Sequence, residues 1–589
     1  MDHLKIFFKC PKCNSDSNNY FNVPDIKMRL RNILSRNFFD NDLVNLTLYT
    51  DGINTFKNSK FSIWPIYFIF NDIHIDKRYF LENIVLCGIW YGEAKPQMQE
   101  LLKLSLEPLL ANFNSKFTFG EFEYRVRLKY IVADKPARSM LLNMQSSNST
   151  YFCPCCLVKS TNKIVLNPRH TFFNFNNGQI YHPRTDEGFA AIAHSSQFSG
   201  QPQYGIKGTC FLQNFIHFKL IKSNIFDYMH SVCLGIFKSL FNFLFILPHS
   251  QNSYRSHIPS FDGVISSLRF PSNIVKSPPL IRKNNVWKAK DYRNFFLFCF
   301  PLLFDDLRSN FILGIFSLRE GLLLLFSDEI IEEIASRAKN LFSKFIISFK
   351  SNIGKQFLTP NFHDIYHLPE MAKRSGPIYS FSGFNFEHIN GLFSNLCHGN
   401  KRFDLQIAKK IESMIPRHFF EDSVNESEYC SFINNLFTSA KWKSSLIINS
   451  HLNICGKIIK LSHPVSLNEF DFFEPHCEYF EADRAIFKGK QVSTKNYAEN
   501  KKYANCFLFK KFGFYGITIE RIIIKLYKEE YTCFAFISKY GLKEVDEFFY
   551  AVSGSIITQL ISLEELLENS TFCINYKNKI ICIPKLEYF

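Results

Sequence analysis

The chain has 589 residues, enough for about three or four domains, each with a core of its own. Hydrophobic residues make up 46% and charged residues 21%, which excludes a wholly disordered or collagen-like chain. Lys and Arg number 69 against 53 Asp and Glu, and the formal charge of +16 favours a polyanionic partner without proving one. Phe occurs 67 times. It is rich together with Asn, Ile and Lys, so an A/T-rich coding sequence is a simpler cause than an aromatic binding site.

No run reaches the roughly 18 uninterrupted apolar residues that a spanning helix needs. The nearest are Phe295–Phe304, closed by Asp305 and Asp306, and Cys233–Pro248, broken by Lys238. The start, Met1-Asp2-His3, lacks the shape of a signal peptide. The 17 cysteines are therefore expected as thiols or metal ligands in a soluble, intracellular protein without a membrane partner.

In chain order, residues 1–40 hold a Cys pair, Cys10 and Cys13, then a polar loop and a helix over Asp25–Asn37 with Ile26, Leu30 and Leu34 on one face. From residue 43 the period changes. Strands fit Val44–Tyr49, Phe61–Phe70 and Ile84–Trp90; a helix fits Pro96–Leu110, and a fourth strand fits Arg127–Val132. That order is the order of an α/β, ribonuclease-H-like core, in which the first and fourth strands lie side by side. Their ends would bring Asp51 and Asp134 together. Residues 41–160 read as the first part of this core.

Residues 161–360 read as a mostly helical insertion, with helices at Asp227–Leu247, Tyr292–Leu303 and Asp328–Ser348. Residues 361–445 would complete the core, with helices at Ser380–Leu396 and Asp404–Phe420. Residues 446–589 alternate in short runs (Gly456–Leu461, Gly516–Leu526, Tyr531–Ser538, Phe572–Ile583) and read as a β-rich domain.

Asp51 and Asp134 each end a strand and precede a turn. Carboxylates there are hard-oxygen ligands suited to Mg²⁺, and a pair of such ions about 3.5–4 Å apart can act on phosphorus. Glu387 supplies a third acid. Cys153 and Cys156 form a Cys-x-x-Cys, and His363 and His367 stand at i and i+4, sharing one face if helical. Together they would close a structural Cys₂His₂ zinc site, although Cys155 leaves the thiol pairing open. An ion there would staple the base of the insertion and hold the Asp134 and Glu387 segments in relation.

These residues carry a resemblance. The chain resembles the transposases of CACTA-type (En/Spm-like) DNA elements, which have a DDE catalytic core. The matching stretches are Thr50-Asp51-Gly52 with Ser62-Ile63-Trp64-Pro65, Ala133-Asp134-Lys135-Pro136-Ala137-Arg138, and the Cys-Pro-x-Cys of 153–156. Others are Gly205-Ile206-Lys207-Gly208, Asp227-Tyr228-Met229-His230 with Leu234-Gly235, and Gly376-Pro377 through Phe386-Glu387. The acid-to-Cys and His-to-Glu intervals also resemble those of the V(D)J recombinase core.

The resemblance implies that Asp51, Asp134 and Glu387 hold two Mg²⁺ (or Mn²⁺) ions, and that Cys153, Cys156, His363 and His367 hold one zinc. It implies an accessory motif in Asp227 and His230. It also implies phosphodiester hydrolysis and strand transfer on double-stranded DNA, at transposon terminal repeats and target, by a nuclear homo-oligomer with no small-molecule substrate. Cys10 and Cys13 resemble half of an N-terminal zinc finger. A catalytically idle or domesticated DNA-binding protein of the same descent is the alternative. Trp287 reads as an ordinary buried aromatic, and the Lys-rich 488–511 as solvated surface that would also suit phosphate contacts.

Overall fold

A computed structural model gives the fold. It describes residues 20–413 and 445–582, apart from 23–25, 38, 55–59, 112, 114–115, 120, 164–169, 174–180, 248–251, 272–273, 275–276, 399–401, 450–451, 462–475, 488–489, 502–506, 510–514, 529, 547–548 and 577–578. Cys10 and Cys13 lie outside the described residues, as does a minor part of the Lys-rich 488–511, in which Lys495–Lys501 is a helix. The chain is mixed α/β and divides into two compact units, one within Met1–Ile236 and Asp328–Cys430, the other within Phe237–Ser327 and Ser431–Phe589.

The first unit is built on one sheet. Six of its eight strands form the path across it: β1 (Tyr20–Asn22), β2 (Leu43–Thr50), β3 (Ser62–Phe70), β4 (Ile84–Gly92), β5 (Phe122–Ala133) and β6 (Asn224–Phe226). Their order across the sheet is β1-β4-β3-β2-β5-β6. β1 to β4 pair antiparallel, whereas β5 runs parallel to β2 and β6 parallel to β5. The βββαβ order read from the sequence is present. β6, with three residues, is too short for any periodicity to show, and the sequence reading missed it.

Register turns this topology into a site. Tyr49 lies opposite Val132, and Phe226 lies opposite Ala133. Asp51, Asp134 and Asp227 therefore leave the carboxyl ends of three neighbouring parallel strands. At their carboxyl ends the strands are buried on both faces, as parallel strands usually are. Val44, Leu46 and Leu48 point to the core that α1 (Ile26–Arg36) and α2 (Met98–Leu106) cover with Ile26, Leu30, Ile33, Leu101, Leu102 and Leu106. The two-residue alternation sends Tyr49 to the other face.

Further helices of the unit are α3 (Lys135–Leu141), α4 (Asp186–Ser199), the start of α5 (Met229–Ile246), α6 (Glu332–Asn352), α7 (Pro360–Asp364), α8 (Leu368–Ser375), α9 (Gly383–Asn395) and α10 (Phe403–Ser413). α4 has a regular start, Thr185 accepting from the Gly188 amide, and ends at left-handed Gly200. α5 is long and apolar enough to cross a membrane, and 67% of it is buried in the fold.

The second unit carries helices over Ile258–Ser267, Ala289–Phe304 and Asn310–Leu324. The last absorbs most of the apolar run 321–326 and was not separated from it by sequence pattern. Within it the Arg319 guanidinium is fully buried and donates to the Leu297 carbonyl at 2.8 Å. Trp287 is buried against Phe241, its indole N–H donating to Leu280, as an ordinary core aromatic would.

The β-rich part of this unit has β7 (Phe507–Phe509), β8 (Tyr515–Tyr527), β9 (Glu530–Asp546), β10 (Phe549–Ser562), β11 (Ser570–Tyr576) and β12 (Lys579–Cys582). Antiparallel pairings run β8-β9-β10-β12-β11-β7 and return to β8, closing a ring. From β8 the same sheet continues through strands Glu478–Phe487 and Leu452–Lys460 to Ser445–Ile447. Leu508, Tyr540, Tyr550 and Cys573 cluster as a core of this ring.

Candidate metal centre and acid pocket

Among the described residues two clusters of candidate metal ligands stand out, both in the first unit, and the Cys/His set is the more closed. One ligand atom each from Cys153, Cys156, His363 and His367 all lie within 4.8 Å of one another. Cys153 Sγ is 3.4 Å from His367 Nε2, Cys156 Sγ is 3.3 Å from His363 Nε2, and the two Nε2 atoms are 3.0 Å apart. These are about the edges of a tetrahedron whose centre-to-ligand bonds are roughly 2.0–2.3 Å. The donor set and its burial fit one tetrahedral ion with no open position.

Spacing alone left the thiol pairing open, and the structure selects Cys153 and Cys156. Cys155 is not one of the four converging ligands; its amide donates to Cys153 Sγ at 3.3 Å and its carbonyl accepts from the Arg184 amide. The expected shared helix for the two histidines is corrected. His363 lies in the short α7, which ends at Asp364, and His367 precedes α8, where Pro369 at the second position begins a new helix. A turn between the two helices still brings both imidazoles to one point.

Without an ion the site is electrostatically polarised. Burial would push the Cys153 thiol up, but hydrogen bonds within the Cys153–Cys156 turn and the two imidazoles hold it well below the usual thiol range. Burial lowers His363, whose ring is boxed by the edges of Phe152, Phe173 and Tyr181.

The second cluster is the acid pocket. Carboxylate oxygens of Asp51 and Glu387 and a ring nitrogen of His230 lie within 4.8 Å of one another. Asp134 is not part of that trio, although its charge acts on Asp51, Glu387 and His230. One of its oxygens caps α3, accepting from the Ala137 amide at 2.7 Å. The structure thus brings Asp51 and Glu387 together with His230, while Asp134 stands outside that trio and reaches its three members through its charge.

Asp227 organises the pocket. Its carboxylate is 1% exposed and accepts from the Met229 amide at 2.9 Å, the Gly383 amide at 2.7 Å and His230 Nδ1 at 2.5 Å. It therefore orients the imidazole and anchors the first turn of α9, the helix that carries Glu387. Gly383 is required for this approach: a Cβ there would stand 2.3 Å from Asp227 Oδ2.

Charge is crowded here. Burial, then the charges of Asp134 and Glu387, push Asp51 up to about 7, against partial relief from the Gly52 amide and His230. Burial and the Asp227 and Asp134 charges likewise raise Glu387. Burial opposes protonation of His230, but the Asp227 bond and the surrounding acids raise it to about 9. The crowded carboxylates form a donor set for divalent cations, which relieve the repulsion between the acids, whereas His230 with its proton offers no lone pair.

Two aromatic contacts set the backbone of this pocket. Phe386 stacks on Tyr49, and Trp64 presses against Gly52 so closely that a Cβ would lie 2.7 Å from its ring. Sequence reasoning missed Tyr49, Phe386 and also Asp364, because packing partners leave no spacing pattern.

Residues 27–194 match a family described only as a protein of unknown function (DUF1258). That stretch includes Asp51, Asp134, Cys153 and Cys156. No curated protein matches the chain.

Proposed function

We propose that this chain is a DDE-type DNA transposase resembling those of CACTA-type elements, acting in the nucleus on duplex DNA as a homo-oligomer. The observation that carries the reading is the meeting of Asp51 and Glu387, with the charge of Asp134 acting on both, beside a separate Cys₂His₂ cluster, although 253 positions of chain separate Asp134 from Glu387. The strand order, three antiparallel strands followed by two parallel ones, supports a ribonuclease-H-like core. A net charge of +16 suits a phosphate backbone.

On this reading Asp51, Asp134 and Glu387 bind two Mg²⁺ or Mn²⁺ ions, and Cys153, Cys156, His363 and His367 bind one structural zinc. The pair of divalent ions would supply activation of the attacking oxygen and stabilisation of the leaving one at phosphorus. Asp51 and Asp134 are held rigidly by the ends of paired strands. Glu387 rides on a helix tied to β2 by an aromatic stack and to Asp227 by a cap. His230, oriented by Asp227, holds a proton at the pocket's edge facing the acids.

The test is nicking of supercoiled duplex DNA by the purified full chain with Mn²⁺. Asp51→Ala and Glu387→Ala are expected to abolish nicking while the melting transition stays within a few degrees. Undiminished nicking by either variant overturns the proposal. Wild-type protein that binds duplex DNA without nicking it would favour the idle, DNA-binding alternative.

A further inference from the structure

Asp364, one residue after His363, is a buried carboxylate that belongs to neither cluster. It is 1% exposed. It accepts from the Lys135 ammonium and from the Ser231 hydroxyl at 2.7 Å, and the Arg138 guanidinium stands 3.8 Å away. Lys135 also donates to Ser231 at 3.3 Å. An ammonium and a carboxylate buried together hold their geometry tightly, since separating them leaves each charge uncompensated.

The partners are not scattered. Lys135 follows Asp134 and opens α3, the helix that Asp134 caps. Ser231 follows His230 in the first turn of α5. Asp364 ends α7, whose orientation an ion on His363 and His367 would lock. Gly235 of α5 meets Asn361 of α7 so closely that a Cβ would lie 2.5 Å from the Asn361 side chain, so the two helices are in direct contact. One carboxylate therefore joins the chain neighbours of an acid-pocket aspartate, of the pocket's histidine and of a Cys₂His₂ ligand.

We propose that Asp364 is a positioning residue that couples the two centres, so that an ion in the Cys₂His₂ site sets the affinity of the acid pocket for divalent cations. This rests on the reading above that the acid pocket binds such cations. With the Cys₂His₂ ion in place, α7 is fixed, Asp364 holds Lys135 and Ser231, and α3 and α5 present Asp134 and His230 in register. With the ion absent, or with Asp364 neutralised, those two arms lose their common anchor.

The experiment measures Mn²⁺ binding to the full chain by the loss of the free-ion electron paramagnetic resonance signal, with zinc content determined on the same samples. Asp364→Asn is expected to keep one zinc per chain and to weaken Mn²⁺ binding about tenfold or more, the size of effect usual for groups that orient metal ligands. Asp364→Glu, which restores the charge, is expected to recover part of the loss. Cys156→Ser, which removes the Cys₂His₂ ion, is expected to weaken Mn²⁺ binding at least as much as Asp364→Asn.

Asp364→Asn with full zinc and Mn²⁺ affinity within about twofold of wild type overturns the coupling, about twofold being too little for an orienting group. Should that variant fail to fold, Ser231→Ala removes one arm while sparing the buried ion pair. A weaker Mn²⁺ affinity in it supports the coupling, and an unchanged one overturns it. Wild-type protein whose Mn²⁺ binding is absent, or is unaffected by Asp51→Asn and Glu387→Gln, overturns the cation-binding reading itself and the coupling with it.

Discussion

The ring of Phe386 lies flat on that of Tyr49, centroids 4.2 Å apart and planes within 1°. Tyr49 precedes Asp51 by two residues on β2, and Phe386 precedes Glu387 on α9. Tyr67, Tyr79 and Phe393 surround the same stack, with the Tyr67 hydroxyl donating to the Phe386 carbonyl at 3.5 Å. The stack is what holds two distant acids at one mouth.

Phe386→Ala is therefore expected to cost about 3–5 kcal/mol of stability, the range for truncating a buried aromatic, while Phe386→Leu costs markedly less. Urea denaturation of the two variants checks this. Mn²⁺ binding should fall in the alanine variant even under conditions where it remains folded.

The Cys₂His₂ site predicts a stoichiometry and a selectivity. The purified chain should hold one zinc per chain at this site, released when a thiol reagent consumes the ligands. Cys156→Ser should lose that zinc and destabilise the chain, whereas Cys155→Ser should retain it, because Cys155 is not among the four residues whose ligand atoms converge. Elemental analysis of both variants checks the assignment.

Asp51 gives a pH dependence. Its ordinary value of 3.8 is raised to about 7 in the ion-free chain. The folded state thus keeps a proton that the unfolded state releases, and stability falls as pH rises between these two values and stays lowered above them. The melting temperature of ion-free wild type should decline from pH 5 to pH 8 more steeply than that of Asp51→Asn, and Mn²⁺ at pH 8 should recover the difference. Calorimetry across that range checks the sign.

His230 gives the opposite one. Its value is raised from 6.5 to about 9, so its stabilising contribution is complete below 6.5 and lost as pH rises through about 9. A shift of that size corresponds to about 3 kcal/mol. Asp227→Asn removes the bond that holds the proton. Imidazole titration by nuclear magnetic resonance should place His230 near 9 in wild type and far lower in the variant.

Much of the first unit was legible because alternation and helical spacing are local. Leu43–Thr50 shows itself by alternation and Ile84–Gly92 as a continuous apolar run, and Asp51 announces itself at a strand end. The Cys-x-x-Cys and His-x-x-x-His spacings announce ligands whether or not the helix between the histidines is continuous. Asn224–Phe226 was invisible, since three residues carry no period, and with it the place of Asp227 at the edge of the sheet.

Local chemistry along the chain determined which residues can form strands, carry acids and bind a soft ion. It also placed those candidates in a workable order. Only the tertiary structure decided that Cys153 rather than Cys155 pairs with Cys156, that His230 enters the acid pocket, and that Asp364 joins the two centres. The reason is that spacing constrains neighbours a few residues apart. Which side chains converge across two hundred positions is set by strand register, by aromatic packing and by the need of every buried charge for a partner.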